Sequence, residues 1–224
     1  MFLRVKNKIY SRLLALVILL IVTSWILVSK DMLAKNSEVF QVESGSSISD
    51  VAKELSDKRL IKSKLFFKSL SKFLGANKKL KSGYYQISPN MSILAFLDNI
   101  SNGSVLTTKV TLIEGKTIKY YFEQLSLDPS LESKGSLEDV MQSIGVKAPY
   151  DGWFFPETYN FNYGESVENV LRRSYKEMQK KVSDLWINRD KSLPLKSPYD
   201  AIILASLIEN ETALDNEKIL ISGV

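Results

Sequence analysis

The chain has 224 residues, of which 45% are hydrophobic and 25% are charged, enough apolar material to bury the core of one or two domains. It contains no cysteine and no histidine, which excludes disulfides, thiolate sites and catalysis by histidine-containing triads. The net charge is only +5, and several basic residues crowd into the first dozen positions, so a nucleic-acid partner is not expected.

The first feature along the chain is an uncharged apolar run from Leu13 to Val28, which follows this basic cluster. A helix of roughly 20 apolar residues spans a bilayer, and basic residues before such a helix keep its N-terminus in the cytoplasm. No small-x-small cleavage site of a signal peptide follows the run. We therefore predict a cytoplasmic N-terminus over residues 1–12, a transmembrane helix over 13–29, and a single-pass protein of the plasma (inner) membrane whose bulk is extracytoplasmic.

Residues 38–105 have the pattern of a small α+β module. Alternating apolar residues predict strands, apolar residues at helical spacing predict helices, and Ser47 or Ser49 is a candidate cap for the first helix. Gly83 opens the second predicted strand, and Asn102-Gly103 ends the last predicted helix. In chain order we predict a strand at 39–42, helices over 48–55 and 60–70, a strand over 81–87 and a helix that begins at 92.

A second α+β domain is predicted from residue 106 to residue 224. The pattern indicates a strand over 106–113, a turn at 114–117 and amphipathic helices over 118–127 and 167–185. Ser197 is placed to cap a further helix, with Pro198 at the first helical position and Asp200 completing the cap. This last helix is almost entirely apolar until its end, which favours a buried position.

An aromatic cluster lies between Asp151 and Tyr159. Aromatic rings stack on the apolar faces of sugars, and nearby polar side chains can bind the sugar hydroxyls. The substrate-binding residues we predict here are Trp153, Phe155, Glu157, Thr158 and Tyr159. Ordinary core packing of the aromatic residues explains the pattern equally well.

Two glutamates, Glu209 and Glu211, stand near the end of the apolar helix. At about 100° per residue they point about 200° apart, so they cannot both face one cleft. The spacing therefore indicates a single catalytic acid rather than a carboxylate pair. A solvent-exposed helix end, where glutamates are common, explains the same spacing.

Several blocks recur in the same order in a known family: the apolar N-terminal run and the segments 81–85, 113–115, 152–159 and 205–213. On these blocks the chain resembles the family of membrane-anchored, YceG-like endolytic murein transglycosylases. The predicted strand, helix, helix and strand of residues 38–105 are similar to the LysM-like portion that precedes the catalytic region in that family. The resemblance implies a LysM-like module followed by a catalytic domain.

The resemblance also implies a reaction. It implies a lyase that cleaves the MurNAc-GlcNAc bond within nascent peptidoglycan strands, leaves 1,6-anhydroMurNAc ends and so terminates glycan elongation. The catalytic acid of the family falls on Glu211, and the first glutamate of the same block falls on Glu209, which we assign to substrate binding. The expected partners are peptidoglycan glycan strands and membrane lipid through the one helix, with peptidoglycan synthases as candidate protein partners.

One departure from the family leaves alternatives open. The chain stops at Val224, directly after the catalytic block, whereas the family's catalytic domain continues, so we expect the domain over 106–224 to lack its C-terminal part. A noncatalytic peptidoglycan-binding or scaffold protein is therefore one alternative, and a muramidase-type hydrolase that uses Glu211 and water is another. No cofactor and no metal site are expected, because the acidic residues do not cluster at ligand spacing.

Overall fold

The computed structural model describes residues 12, 14–23, 31–211, 217, 218 and 221. Residues 14–23 are helical, and their side chains are exposed. The chain divides into two compact units, Met1–Leu106 and Thr107–Val224, here called the first unit and the second unit. Both units combine helices with short strands, which is an α+β architecture. The assignment of one part as LysM-like and of the other as catalytic stays a prediction.

The prediction of a transmembrane helix over residues 13–29 has to be corrected. Within the described part of the chain, no helix is long and apolar enough to cross a membrane. Contact with membrane lipid through this helix is likewise not shown among the described residues. Residues 1–11, 13 and 24–30, on which the rest of this prediction rested, lie outside the described residues.

The first unit has the predicted order of strand, helix, helix, strand and helix. Its elements are β1 (Glu38–Val42), α1 (Ile48–Asp57), α2 (Lys64–Phe73), a 3-10 turn (Ala76–Lys78), β2 (Gly83–Ile87) and α3 (Ile93–Asn102). Strands β1 and β2 are antiparallel, with Phe40 opposite Tyr85. Helix α2 begins later than predicted, because Leu60 and Ile61 belong to a buried loop and Ser63 supplies the cap.

Serine side chains define where the helices of the first unit begin. Ser47, rather than Ser49, caps α1: its hydroxyl accepts the Asp50 N–H at 3.3 Å, and the Asp50 carboxylate accepts the Ser47 N–H at 2.9 Å. This reciprocal arrangement satisfies two backbone donors that a helix start leaves free. Ser92 caps α3, and Gly103 ends it in a left-handed conformation, as predicted.

Aromatic rings fill the centre of the first unit. Phe96 of α3 packs against Phe40 of β1, Phe67 of α2 and Tyr85 of β2, with ring centroids 5.8 to 6.4 Å apart. Each of these four side chains is at most 1% exposed. Because one ring of α3 contacts both strands and α2, it joins the two-stranded sheet to the helices in a single core.

The second unit is built from short strands and four helices in its described residues. Its elements are β3 (Thr107–Thr111), α4 (Ile118–Ser126), β4 (Leu131–Glu132), α5 (Leu137–Ile144), β5 (Thr158–Asn162), β6 (Glu165–Ser166), α6 (Val167–Ile187) and α7 (Pro198–Glu211). Strand β3 pairs with β5 in antiparallel fashion, and β4 pairs with β6 in parallel. The sequence pattern predicted β3, α4, α6 and α7, but not α5 or the other strands.

The core of the second unit is formed by α4, α5, the first half of α6 and residues of β3, β4 and β5. Leu125, Met141, Val170 and Leu171 are completely buried there. The buried residues of α6 all precede Tyr175, although the helix continues to Ile187. The second half of α6 is therefore free of the core and borders the cavity described next.

Candidate functional site

A cavity of about 630 Å³ lies in the second unit. Four segments form its walls: the turn before α4, the loop before β5, the second half of α6 with the residues after it, and α7. The charged and amide side chains that line it are Glu114, Lys116, Asp151, Lys181, Arg189, Glu209 and Asn210. The remaining walls are mainly apolar and aromatic, so the cavity offers a ligand both apolar surface and hydrogen-bonding groups.

Asp151 joins two of these walls. Its carboxylate accepts the Ile118 N–H at 2.8 Å, at the start of α4, where Thr117 caps the same helix by accepting the Tyr120 N–H. Two backbone donors of the helix start are thus satisfied by two side chains. The 113–117 turn is held further by Tyr121, whose hydroxyl donates to the Ile113 carbonyl at 2.5 Å. Burial, with a contribution from the negative charge of Glu114, raises the pKa of Tyr121 to about 12.

The aromatic loop before β5 divides between the core and the cavity. Phe154 is buried in the core, at 4% exposure, whereas Phe155 is half-buried and lines the cavity. Ser174 of α6 fixes the Phe155 backbone, since its hydroxyl donates to the Phe155 carbonyl at 3.1 Å and its own carbonyl accepts the Phe155 N–H at 3.2 Å. Trp153 stacks on Tyr199, with ring centroids 5.6 Å apart and planes inclined by 12°.

Cations stand beside aromatic rings on the α6 side of the cavity. Lys181 Nζ lies 4.9 Å from the ring centre of Phe155, and Arg189 Cζ lies 3.6 Å from that of Trp186. In such cation–π contacts the face of the aromatic ring attracts the cation. Arg189 also donates to the Trp186 carbonyl at 2.7 Å. This wall therefore presents positive charge together with flat apolar surface.

Helix α7 starts as the sequence predicts. The Ser197 hydroxyl accepts the Asp200 N–H, and the Asp200 carboxylate accepts the N–H groups of Ser197 and Lys196 at 2.9 and 2.8 Å. These hydrogen bonds, the one from Lys196 most of all, hold the pKa of Asp200 below its ordinary value. The predicted burial of the helix is not observed. Only Ile202 is buried along α7, and Leu204 and Leu207 are exposed in the part of the chain that the structure describes.

Two glycine turns support α7 on its cavity side. A Cβ atom at Gly152, where φ is +83°, would lie 2.5 Å from Cγ2 of Ile202, so the backbone turn and the helix touch directly. At Gly115 the added atom would lie 3.6 Å from the side-chain oxygen of Asn210. The 151–156 loop thus packs directly against Ile202 of α7, and the 113–117 turn lies next to Asn210 in the last turn of the helix.

The two glutamates of α7 differ in position. Glu209 lines the cavity and lies 2.9 Å from Lys218 Nζ. Glu211 is exposed and does not line the cavity. This agrees with the helical geometry, which separates the two side chains by about 200°. Glu211 shares its face of the helix with the exposed Leu204 and Leu207.

The residues predicted from sequence therefore separate into three groups. Phe155 and Glu209 line the cavity. Trp153 meets it indirectly, through Tyr199. The others that we predicted do not line it: Glu157, Thr158, Tyr159 and Glu211. Glu157 and Thr158 are exposed at the start of β5, and the Tyr159 hydroxyl donates to the Phe155 carbonyl at 2.8 Å.

Sequence reasoning missed the charged wall contributed by α6. Met178, Lys181, Val182 and Leu185 lie on one helical face, since each is three or four residues from another member of the set, and Arg189 follows the end of the helix. That stripe continues past the core-facing residues of α6 and could have been read as a second, ligand-facing surface. Asp151 carried a weaker signal, a carboxylate directly before a glycine turn.

Comparison with known proteins places the chain in a family. Residues 40–224 match the YceG-like family, and the chain belongs to that family. It is 24% identical over 223 residues to the endolytic murein transglycosylase of Bacillus subtilis strain 168, an alignment that covers 88% of this chain and 59% of the relative. It is 27% identical over 216 residues to the endolytic murein transglycosylase of Streptococcus pneumoniae strain R6, covering 82% and 38%.

The chain thus spans between 38% and 59% of the length of these two relatives. Among solved structures it is similar to a crystal structure of a YceG-like protein from Listeria monocytogenes, at 19% identity and a TM-score of 0.33, over 83% of this chain and 67% of the other.

Proposed function

We propose that this protein is an endolytic murein transglycosylase that acts on peptidoglycan glycan strands. Membership of the YceG-like family and the names of the two relatives support the reaction class. The observation that carries the proposal is the position of α7, which brings Glu209, two residues before Glu211, to a cavity walled by aromatic and charged side chains. Such a cavity suits sugar rings, because aromatic side chains stack on their apolar faces and charged side chains hydrogen-bond to their hydroxyl groups.

The proposed reaction needs one carboxyl group. A protonated glutamate donates its proton to the glycosidic oxygen between MurNAc and GlcNAc, and that bond breaks. The resulting carboxylate accepts the proton of the muramoyl 6-hydroxyl as this oxygen bonds to the anomeric carbon. The product is a 1,6-anhydroMurNAc end and no water is consumed, so a second carboxylate to activate water is not required.

Glu211 is the proposed acid, on the strength of the family resemblance. Glu209, which lines the cavity, is the proposed substrate-binding partner, together with Phe155 and the neighbouring aromatic loop. The two roles can be separated because the side chains lie on different faces of one helix. A loss of the proton donor removes the chemical step, whereas a loss of a binding group weakens substrate affinity.

The test is mass spectrometry of purified glycan strands after incubation with the wild-type chain, Glu211→Gln or Glu209→Gln. Wild type should release anhydroMurNAc ends, Glu211→Gln should be slowed at least about 100-fold, and Glu209→Gln should mainly raise KM. Circular dichroism of the matched variants controls for folding. If Glu209→Gln alone abolishes the product, the acid is Glu209 and the reaction class stands.

Two outcomes would contradict the proposed reaction itself. Reducing ends in place of anhydro ends would identify a muramidase-type hydrolase. Glycan binding without any cleavage by wild type would identify a noncatalytic wall-binding protein. In the first case the variants show whether α7 supplies the acid, because formation of reducing ends would then depend on one glutamate.

The proposal extends to location and partners. Glycan strands lie outside the cytoplasm, so the second unit is expected to work in an extracytoplasmic compartment. The strand, helix, helix and strand order of the first unit supports a LysM-like role in holding glycan. Peptidoglycan synthases, which make the strands, are the proposed protein partners. Cross-linking of the full chain in growing cells, followed by identification of the captured proteins, tests that last point.

A further inference from the structure

The charge of the first unit is distributed very unevenly. From Lys58 to Leu97 the chain contains nine lysines and arginines and no aspartate or glutamate, although the whole chain has a net charge of only +5. Two of these cations have acidic partners just before the stretch, Lys58 with Glu54 and Lys64 with Asp57. The other seven lie in the loop before α2, in α2, in or next to the 3-10 turn, and just before β2, without an acidic residue between them.

Helix α2 combines this positive charge with exposed apolar side chains. Its inner face packs Phe66 and Phe67 into the core. Its outer face carries Leu65, Lys68, Ser69, Lys72 and Phe73, which recur at the three- and four-residue spacing of one helical face and are all exposed. Phe73 is 87% exposed and Leu65 is 74% exposed, large values for apolar residues in a structured helix.

The segment after α2 extends this surface. Leu74 is 46% exposed, and Lys78 and Lys79 are exposed in the 3-10 turn that packs against α2. Among the described residues, no ion pair involves Lys68, Lys72, Lys78 or Lys79. We call this set of exposed residues, from Leu65 to Lys79, the α2 surface.

We propose that the α2 surface binds an anionic lipid surface, with Phe73 and Leu65 inserted among the headgroups and the lysines on the lipid phosphates. Charge complementarity argues for an anionic occupant, since each basic residue near an anionic bilayer contributes on the order of 1 kcal/mol. The exposed phenyl and leucyl groups argue for lipid over a dissolved anionic polymer, because burying them in the interface removes apolar area from water. This contact is peripheral and does not involve residues 14–23.

The absence of cysteine makes a local test possible, because one introduced cysteine is a unique labelling site. The full chain is labelled with the fluorophore NBD at Phe73→Cys or at the control Leu127→Cys. Leu127 is 84% exposed and lies in the second unit. Each labelled protein is mixed with vesicles of phosphatidylglycerol and phosphatidylcholine in equal parts, or with phosphatidylcholine alone. Any contribution of the N-terminal residues is common to both label sites.

We expect the label at 73 to rise at least about threefold in emission and to shift to the blue on anionic vesicles only, and the label at 127 to stay unchanged. In the labelled Phe73→Cys protein, Lys68→Gln with Lys72→Gln should weaken the response about 30-fold. The matched control, Lys176→Gln with Lys180→Gln on the exposed part of α6, should change it less than about twofold. If the label at 73 perturbs folding, Leu65→Cys serves as the second site.

Three results would overturn the proposal. Equal responses at 73 and 127 would show that the α2 surface has no special role. Equal responses on neutral and anionic vesicles would remove the electrostatic basis. No response to vesicles, with lysine-dependent binding of soluble poly(glycerol phosphate), would assign the surface to an anionic polymer instead of lipid.

Discussion

The contact between Gly152 and Ile202 predicts how strongly α7 depends on the loop beneath it. In Gly152→Ala the added methyl group would lie 2.5 Å from Cγ2 of Ile202, well inside van der Waals contact. Ile202 is buried and β-branched, so its side chain cannot rotate away easily. The backbone cost of a left-handed alanine is about 1–2 kcal/mol, and the overpacking adds about 1–3 kcal/mol.

Gly145→Ala is the matched control. Gly145 also has a positive φ, +85° against +83° at Gly152, but a methyl group there would meet nothing within 4 Å. Both glycines lie in the second unit, so the two variants share the backbone cost and differ in the contact. Their difference in free energy of unfolding should therefore be about 1–3 kcal/mol.

The assay is urea unfolding followed by tryptophan fluorescence, since Trp153 and Trp186 both belong to the second unit. Cleavage of glycan strands is measured in parallel, and we expect Gly152→Ala to lose about tenfold or more because a displaced α7 misplaces its glutamates. Equal destabilisation of the two variants, within about 0.5 kcal/mol, would refute the inference that α7 rests on this turn.

Three further predictions follow from the hydrogen bonds and ring contacts. The raised pKa of Tyr121 keeps its phenol neutral in the folded protein, so the stability it contributes is complete below pH 10 and is lost as the pH rises towards about 12. Between pH 10 and about 12, the free energy of unfolding should fall by on the order of 2 kcal/mol more in wild type than in Tyr121→Phe, as measured by urea titrations. An equal fall in the two proteins would contradict this prediction. Ser47→Ala should destabilise the protein by about 1 kcal/mol in thermal unfolding, and Ser49→Ala by less than half of that, whereas equal effects would argue against the cap. A double-mutant cycle of Trp153→Ala and Tyr199→Ala should give a coupling energy of about 0.5–1.5 kcal/mol, and a value near zero would contradict the stacking.

The local elements of the fold were predictable because their signals are local. Ser92, Gly103 and Ser197 mark helix ends through hydrogen bonds and backbone angles that involve only a few neighbouring residues. The burial of α7 was not predictable in the same way. An apolar helix sequence shows that the helix can be buried, but it does not show that another element packs against it. Leu204 and Leu207 of α7 are exposed among the described residues.

The cavity was harder to predict than the helices. Asp151 meets Ile118, and Trp153 meets Tyr199, across separations that no periodic pattern encodes. The aromatic loop shows why composition alone left two interpretations open, since neighbouring rings take different roles: Phe154 belongs to the core and Phe155 to the cavity wall. The residue types indicated a sugar-binding site, but which of these residues line one cavity is decided by tertiary packing.

The pairing of β3 with β5 has a consequence for how the second unit forms. Thr111 lies opposite Thr158, 47 residues later, and Thr107 lies opposite Asn162. During synthesis from the N-terminus, β3 therefore has no β5 partner for its backbone hydrogen bonds until β5 has emerged. Helices α4 and α5 are synthesised in this interval. Closing a loop of this length costs entropy before any strand contact is made, which slows folding. An unpaired strand edge is prone to join another chain, so this interval is the stage at which the nascent protein most needs protection from aggregation.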